Sequence, residues 1–282
     1  MTDPSGRDAP GEINSLLIWQ QPHPLHFAEV EYRASPSAAT LSKWDTIVTG
    51  TADFMASFAW YNKTTGRYDL GPPMYPASEN TNPNATINPT FELAYWTFGL
   101  DIAMRWKDRQ GLPVPAAWKD VRDKLAPLPV TPDGTYPIYE GIPGMWTDNS
   151  TTMDHPAMLG VFGLLPPPSE GLNMTVVRNT AQKVRETWDF TQSFGWDFPL
   201  LAMNALRLGD VDRAVEYLLH PVFQFDDAGY HVGGSRVPTP YFPGSSSLLL
   251  AVAMMAGGWD GSEGLHFPKG WDVKAEGFVP GL

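Results

Sequence analysis

The chain has 282 residues, 43% hydrophobic and 18% charged, so it can bury a sizeable core and is unlike a disordered sequence. A net charge of −12 without a Lys/Arg cluster argues against nucleic acid or anionic membrane surfaces as partners, because both need grouped cations. Having no cysteine excludes disulfides, thiolate metal ligands and thiol nucleophiles. No apolar run reaches the ~18 residues of a membrane span; the longest, Leu248 to Ala256, is about half that. The 11 Trp, 10 Tyr and 14 Phe either fill a large core or line a sugar cleft, where ring faces pack on pyranose C–H surfaces. The opening MTDPSGRDAPGE is polar and unlike a secretion signal. Four Asn-x-Ser/Thr triplets, at Asn62, Asn84, Asn149 and Asn173, point weakly the other way. The chain therefore reads either as cytoplasmic or as a piece whose natural N-terminus is missing.

Residues 1–15 read as a flexible lead-in. Trp19, Gln20, Gln21 and His23 follow, among prolines ahead of a helix from about Leu25 to Arg33. They offer hydroxyl-recognising groups or form an ordinary polar connection. Ser35-Pro36 is the expected cap and first turn of a helix running to about Tyr61, with Leu41, Trp44, Val48, Ala52 and Met55 at helical spacing. Asn62 to Gly66 ends it, and a short extended segment leads into a loop.

That loop, Gly71 to Pro89, contains Pro72, Pro73, Pro76, Pro83 and Pro89, each of which removes a backbone donor. Loops this long in a compact chain are functional or disordered, and the apolar helices on either side favour a held loop. Asn88 to Arg109 is expected as an inner helix, apolar nearly all round, with Glu92 as a support for the loop or a satisfied structural carboxylate. Pro115 to Leu125 begins another helix. The stretch from Ala126 to Met153 is expected as loops with two extended pieces around Asp133-Gly134, and Glu140 and Trp146 there could reach a cleft. Helices are then expected over Ala157–Leu164, Asn173–Trp188, Trp196–Leu208, Val211–Leu219 and Ser245–Ala256. No dinucleotide-binding Gly-x-Gly-x-x-Gly follows a strand. Recurring helical hairpins with long loops predict an all-α chain, an α/α toroid, over residues 16–258. Residues 259–282 form a Gly/Pro/Trp-rich tail packing on it.

Several segments resemble a known family. GPPMYPASEN followed by NPTFELAYW, then TTMDHPAMLGVFGLLPP, then GWDFPLLAMNALRLGDVDRAVEYLL, are similar to the second half of six-hairpin (α/α)6 glycosidases. The nearest pattern is that of the inverting α-L-fucosidases of glycoside hydrolase family 95, relatives of the trehalose and maltose phosphorylases. There a Pro-x-Ser-Pro-Glu-Asn loop carries the general acid, which Pro76-Ala77-Ser78-Glu79-Asn80 matches. A His-rich helix start followed by Gly-Leu-Tyr-Pro resembles His155 and Gly163-Leu164-Leu165-Pro166, and Trp196 to Asp210 resembles the family's Arg-Leu-Gly-Asp helix. The family's Asp-Gly-Asn-Phe-Gly base segment is replaced by Tyr241-Phe-Pro-Gly-Ser-Ser-Ser, so the base does not transfer. The resemblance implies an incomplete (α/α)6 toroid, the C-terminal part of a longer enzyme.

Inverting glycoside hydrolysis pairs a protonated carboxyl with an ionised one ~6.5–9.5 Å away. Glu79 is the expected acid, its pKa raised by desolvation on a proline-held loop; otherwise it is a loop-surface carboxylate. The base candidates are Asp197, Asp154 and, third, Glu140. Asp197 could equally be a helix N-terminal charge favoured by the dipole. Asn80, Trp146, His155 and Trp196 complete the expected sugar-binding set with Trp19, Gln20, Gln21, His23 and Glu140. No metal or other cofactor is expected: the six His have no H-x-x-x-H spacing, and no Gly-x-Ser-x-Gly marks a serine nucleophile. The expected partner is a carbohydrate substrate. A non-catalytic sugar-binding remnant and a phosphorylase, with Arg236 as the best phosphate holder, are the alternatives.

Overall fold

The computed structural model describes residues 16–168, 171–232, 237 and 239–282; the lead-in 1–15 and Arg236 lie outside them. Among the described residues helix accounts for 47% and the strands are hairpin arms of two or three residues, which fits an all-α fold. The chain divides into two compact units: Met1–Val130 with Pro137–Ile142, and Thr131–Tyr136 with Pro143–Leu282.

The first unit contains α1 (His23–Ala34), α2 (Ala38–Phe58), a hairpin of β1 (Trp60–Asn62) and β2 (Arg67–Asp69), α3 (Thr90–Gln110) and α4 (Ala116–Lys124). The cap of α2 is Ser37, not Ser35: its hydroxyl accepts the Thr40 N–H at 3.1 Å. Ser35 closes α1 instead, its N–H donating to the Glu31 carbonyl, while its own carbonyl accepts the Thr40 hydroxyl at 2.7 Å. The same helix stops at Phe58, short of Tyr61, because Asn62 builds a turn. Its side-chain oxygen accepts the Thr64 N–H at 3.0 Å, Gly66 takes φ 68°, and the Tyr61 ring meets that of Tyr68 at a tilt across the strands.

As its composition predicts, α3 is the inner helix, and Trp96, Leu100, Ile102, Ala103 and Trp106 are fully buried on it. Three buried indoles find acceptors on α2: Trp96 donates to the Met55 carbonyl, Trp106 to that of Leu41, and Trp118 of α4 to Asp53 at 2.8 Å. The buried Glu29 carboxylate of α1 is held by both guanidinium nitrogens of Arg109, at 2.6 and 3.0 Å.

The second unit contains α5 (Asn149–Thr152), a 3-10 turn at Ala157–Phe162, α6 (Met174–Thr187), α7 (Asp197–Arg207), α8 (Val211–Leu218), α9 (Phe242–Gly257) and a small hairpin of β3 (Gly258–Trp259) and β4 (Ser262–Glu263). Residues 157–164 do not form the expected α-helix. The Asn204 amide takes the Phe162 carbonyl at 2.6 Å and reaches that of Leu159 at 3.4 Å, which diverts the backbone into the tighter turn. Gly163 is required there, since a Cβ would meet the Asn204 backbone nitrogen at 2.6 Å. No strand forms around Asp133-Gly134; Thr131 and Thr135 close a turn with Gly134 at φ 75°. α7 is the buried centre of this unit, and Asp197 through Leu206 are all inaccessible. The final segment returns to it: Gly281 pairs with the backbone of Gly258 and Asp260, and the Leu282 carbonyl accepts from Arg207.

Candidate functional site

In the first unit the Gly71–Pro89 loop is held along its length. Tyr75 N–H donates to the Leu16 carbonyl, Met74 N–H to that of Pro83, and Ala77 N–H to the Glu92 carboxylate at 2.6 Å. Met74, Pro76, Ala77 and Ser78 are buried, whereas Glu79 and Asn80 stand exposed. The loop thus buries its shoulder and projects two polar side chains.

The desolvation expected at Glu79 falls on Glu92, which is 1% exposed. Burial pushes that carboxyl up to about 7, against the Ala77 N–H, which favours its ionised form.

The far end of the loop turns on Asn88, held at φ 48°, a conformation Asn tolerates better than most residues. Its side-chain oxygen accepts the Leu70 N–H at 3.0 Å. Its amide donates to Asp69 at 2.9 Å and to the Glu140 carboxylate at 2.8 Å. Glu140 N–H in turn donates to the Ile87 carbonyl. Glu140 is therefore an exposed carboxylate fixed to the same loop that carries Glu79.

The Trp19–His23 junction meets the loop through Leu16 and Leu17, the latter bridging to Tyr75. Trp19, Gln20, Gln21 and His23 are half-buried there. His23 Nδ1 shares a 2.7 Å hydrogen bond with the Tyr95 hydroxyl, and Trp19 meets the imidazole edge-on. Burial, with His26 adding to it, lowers His23 to about 4, so its ring is neutral near pH 7. Gln20 Oε1 is enclosed without a hydrogen-bond partner. Tyr95 lies one turn after Glu92 on α3, so a single helix face supports both the loop and the junction. The sequence reading did not single out Tyr95 or Asn88. The Asn-Pro pair before the helix was a signal for Asn88; nothing local marks Tyr95.

The remaining expected residues belong to the second unit. Asp197 is fully buried: one carboxylate oxygen lies 2.7 Å from His155 Nδ1 and the other accepts the Phe194 N–H at 2.8 Å. Burial drives its pKa up while His155 opposes the shift. Asp154 is also buried; its Oδ1 accepts the His155 N–H at 2.7 Å, and its carbonyl accepts the Trp188 indole. The His155 ring is clasped between Phe194 and Trp196, both with centroids at 4.3 Å. Both Asp197 oxygens are thus engaged within the protein, and the side chain has no exposed surface. Trp146 packs edge-on against Trp188, its indole nitrogen enclosed without a partner. His231 was not foreseen: it is 2% exposed and seated where a Cβ on Gly195 or Gly244 would fall within 3 Å of the ring.

Among the described residues no group of three or more His, Asp and Glu side chains is placed to hold a metal ion. No described helix is long and apolar enough to cross a membrane. No family model and no curated protein matches the chain.

Proposed function

We propose that this protein acts on glycosides, with Glu79 as proton donor and Glu140 as the second carboxylate of an inverting acid/base pair, on helices belonging to an (α/α)6 ring. The observation that carries the reading is the loop itself, whose shoulder is buried and bonded to Glu92 while Glu79 and Asn80 project into solvent. A general acid needs this combination: a fixed backbone, because donor placement sets the rate, and an accessible carboxyl. Glu140 replaces Asp197 and Asp154 as the preferred base because it is exposed and tied to that loop through Ile87 and Asn88, whereas the two aspartates are buried around His155. Trp19, Gln21 and His23 supply an aromatic and polar edge for sugar hydroxyls, and the enclosed Gln20 oxygen lacks a donor that a hydroxyl could provide. Helices adjacent in sequence pack on one another, α1 on α2, α2 on α3, α3 on α4 and α7 on α8, as successive helices of such a ring do.

The test is hydrolysis of a panel of aryl glycosides and oligosaccharides, with and without inorganic phosphate, beside a glycan-binding screen. Glu79→Gln is expected to lower turnover by about 10²–10⁴-fold with binding retained. Turnover unaffected by that change overturns the assignment. Binding without turnover in the unaltered protein marks a sugar-binding remnant, and turnover that requires phosphate marks a phosphorylase.

A further inference from the structure

The second unit contains a cavity of about 190 Å³ over α7, walled by one face of α6 and one of α8. Arg178, Gln182 and Arg185 recur along α6 at intervals that place them on a single helix face. Asp210, Arg213 and Tyr217 do the same at the head of α8 and along it. Three arginines and one aspartate thus line the cavity, in a chain with 31 acidic and 19 basic residues.

That carboxylate is already used, since Asp210 Oδ1 caps α8 by accepting the Arg213 N–H at 3.1 Å. Arg213 pairs with Glu216 through one nitrogen, and its Nε is enclosed without a partner. The hydrogen bond of Arg178 is a long one, 3.5 Å to the Leu208 carbonyl. Neither Arg178 nor Arg185 has a carboxylate within 4.0 Å among the described residues, and Arg213 alone of the three arginines is ion-paired. Burial raises the Tyr217 phenol to about 12, so it is a neutral donor, and Arg185 and Arg213 both lie near enough to pull against that shift.

We propose that this cavity binds a tetrahedral oxyanion, a phosphate or sulfate group either free or borne on a compact metabolite. Donors converge from two helices and not from one planar fork, which suits a tetrahedral group better than a carboxylate. The volume lies below the ~300–1,000 Å³ of pockets for drug-sized ligands, so a long glycan is excluded from it. This inference does not rest on the glycoside reading, which uses residues of the first unit.

The experiment is calorimetric titration of the whole chain with inorganic phosphate, inorganic sulfate and acetate at fixed ionic strength. Saturable binding of phosphate or sulfate, with acetate much weaker, is expected. Arg178→Gln and Arg185→Gln should each weaken it about tenfold. Both side chains are exposed on α6, so the far-UV spectrum and the Tm without ligand should not change. Arg185→Lys, which keeps charge but loses the fork, should fall between. No saturable signal in the unaltered protein, acetate binding as tightly as phosphate, or undiminished binding in the doubly substituted chain overturns the proposal.

Discussion

Glu92 holds the loop at Ala77 and His23 holds the junction at Tyr95, and burial moves their pKa values by similar amounts with opposite consequences. Glu92 titrates near 7 when folded against 4.5 ordinarily, so between these values the folded chain holds a proton that the unfolded chain has released. Its contribution is fully present below 4.5 and is lost as pH rises through 7, by roughly 3 kcal/mol at most. His23 falls to about 4 from 6.5, so the unfolded chain takes up its proton first. That contribution is complete above 6.5 and is lost as pH falls toward 4. Glu92→Gln, whose amide oxygen can still accept the Ala77 N–H, should raise the urea midpoint at pH 8 and leave it nearly unchanged at pH 4.5. His23→Leu should flatten the acid limb. Urea melts across pH 4–8 check both, and a Glu92→Gln curve parallel to the parent's would rule out the first.

At the scale of elements, capping shows how closely local chemistry competes. Ser35 and Ser37 both precede α2, and only Ser37 holds the cap geometry, with an extended backbone and its hydroxyl on Thr40. Ser37→Ala should cost about 1 kcal/mol, and Ser35→Ala only a few tenths, since Ser35 contributes backbone groups alone. Thermal unfolding of the two variants decides between them, and equal losses would mean the cap is misassigned. Helix positions were legible because α2, α3, α6 and α8 carry apolar residues at helical spacing between clear stops. The 3-10 turn was not, because it depends on the Asn204 amide, more than forty residues away. Trp60 and Tyr61 read as the end of a helix for a related reason: their partner strand lies beyond the turn that Asn62 itself builds.

For the molecule as a whole, a net charge of −12 means that like-charge repulsion opposes compaction even though several described lysines and arginines are paired. Raising sodium chloride from about 10 mM to about 150 mM shortens the Debye length from about 30 to about 8 Å and should raise the Tm. Calorimetry in the two buffers checks this; a lower Tm in salt would mean that the ion pairs outweigh the repulsion. Phosphate and sulfate should be kept out of both, since the arginine-lined cavity predicts a separate rise from either.

By itself the sequence determined the helical class, the positions of most helices and the loop that carries Glu79, because proline content and 3.6-residue periodicity act over a few residues. Which carboxylate is buried was decided by tertiary structure alone: Glu92 lies beneath the loop while Glu79 stands outside it. The pairing of Asp197 with His155 and the meeting of Arg178, Arg185 and Arg213 were decided the same way. Desolvation and charge depend on neighbours that only folding brings together, and no spacing along the chain encodes them.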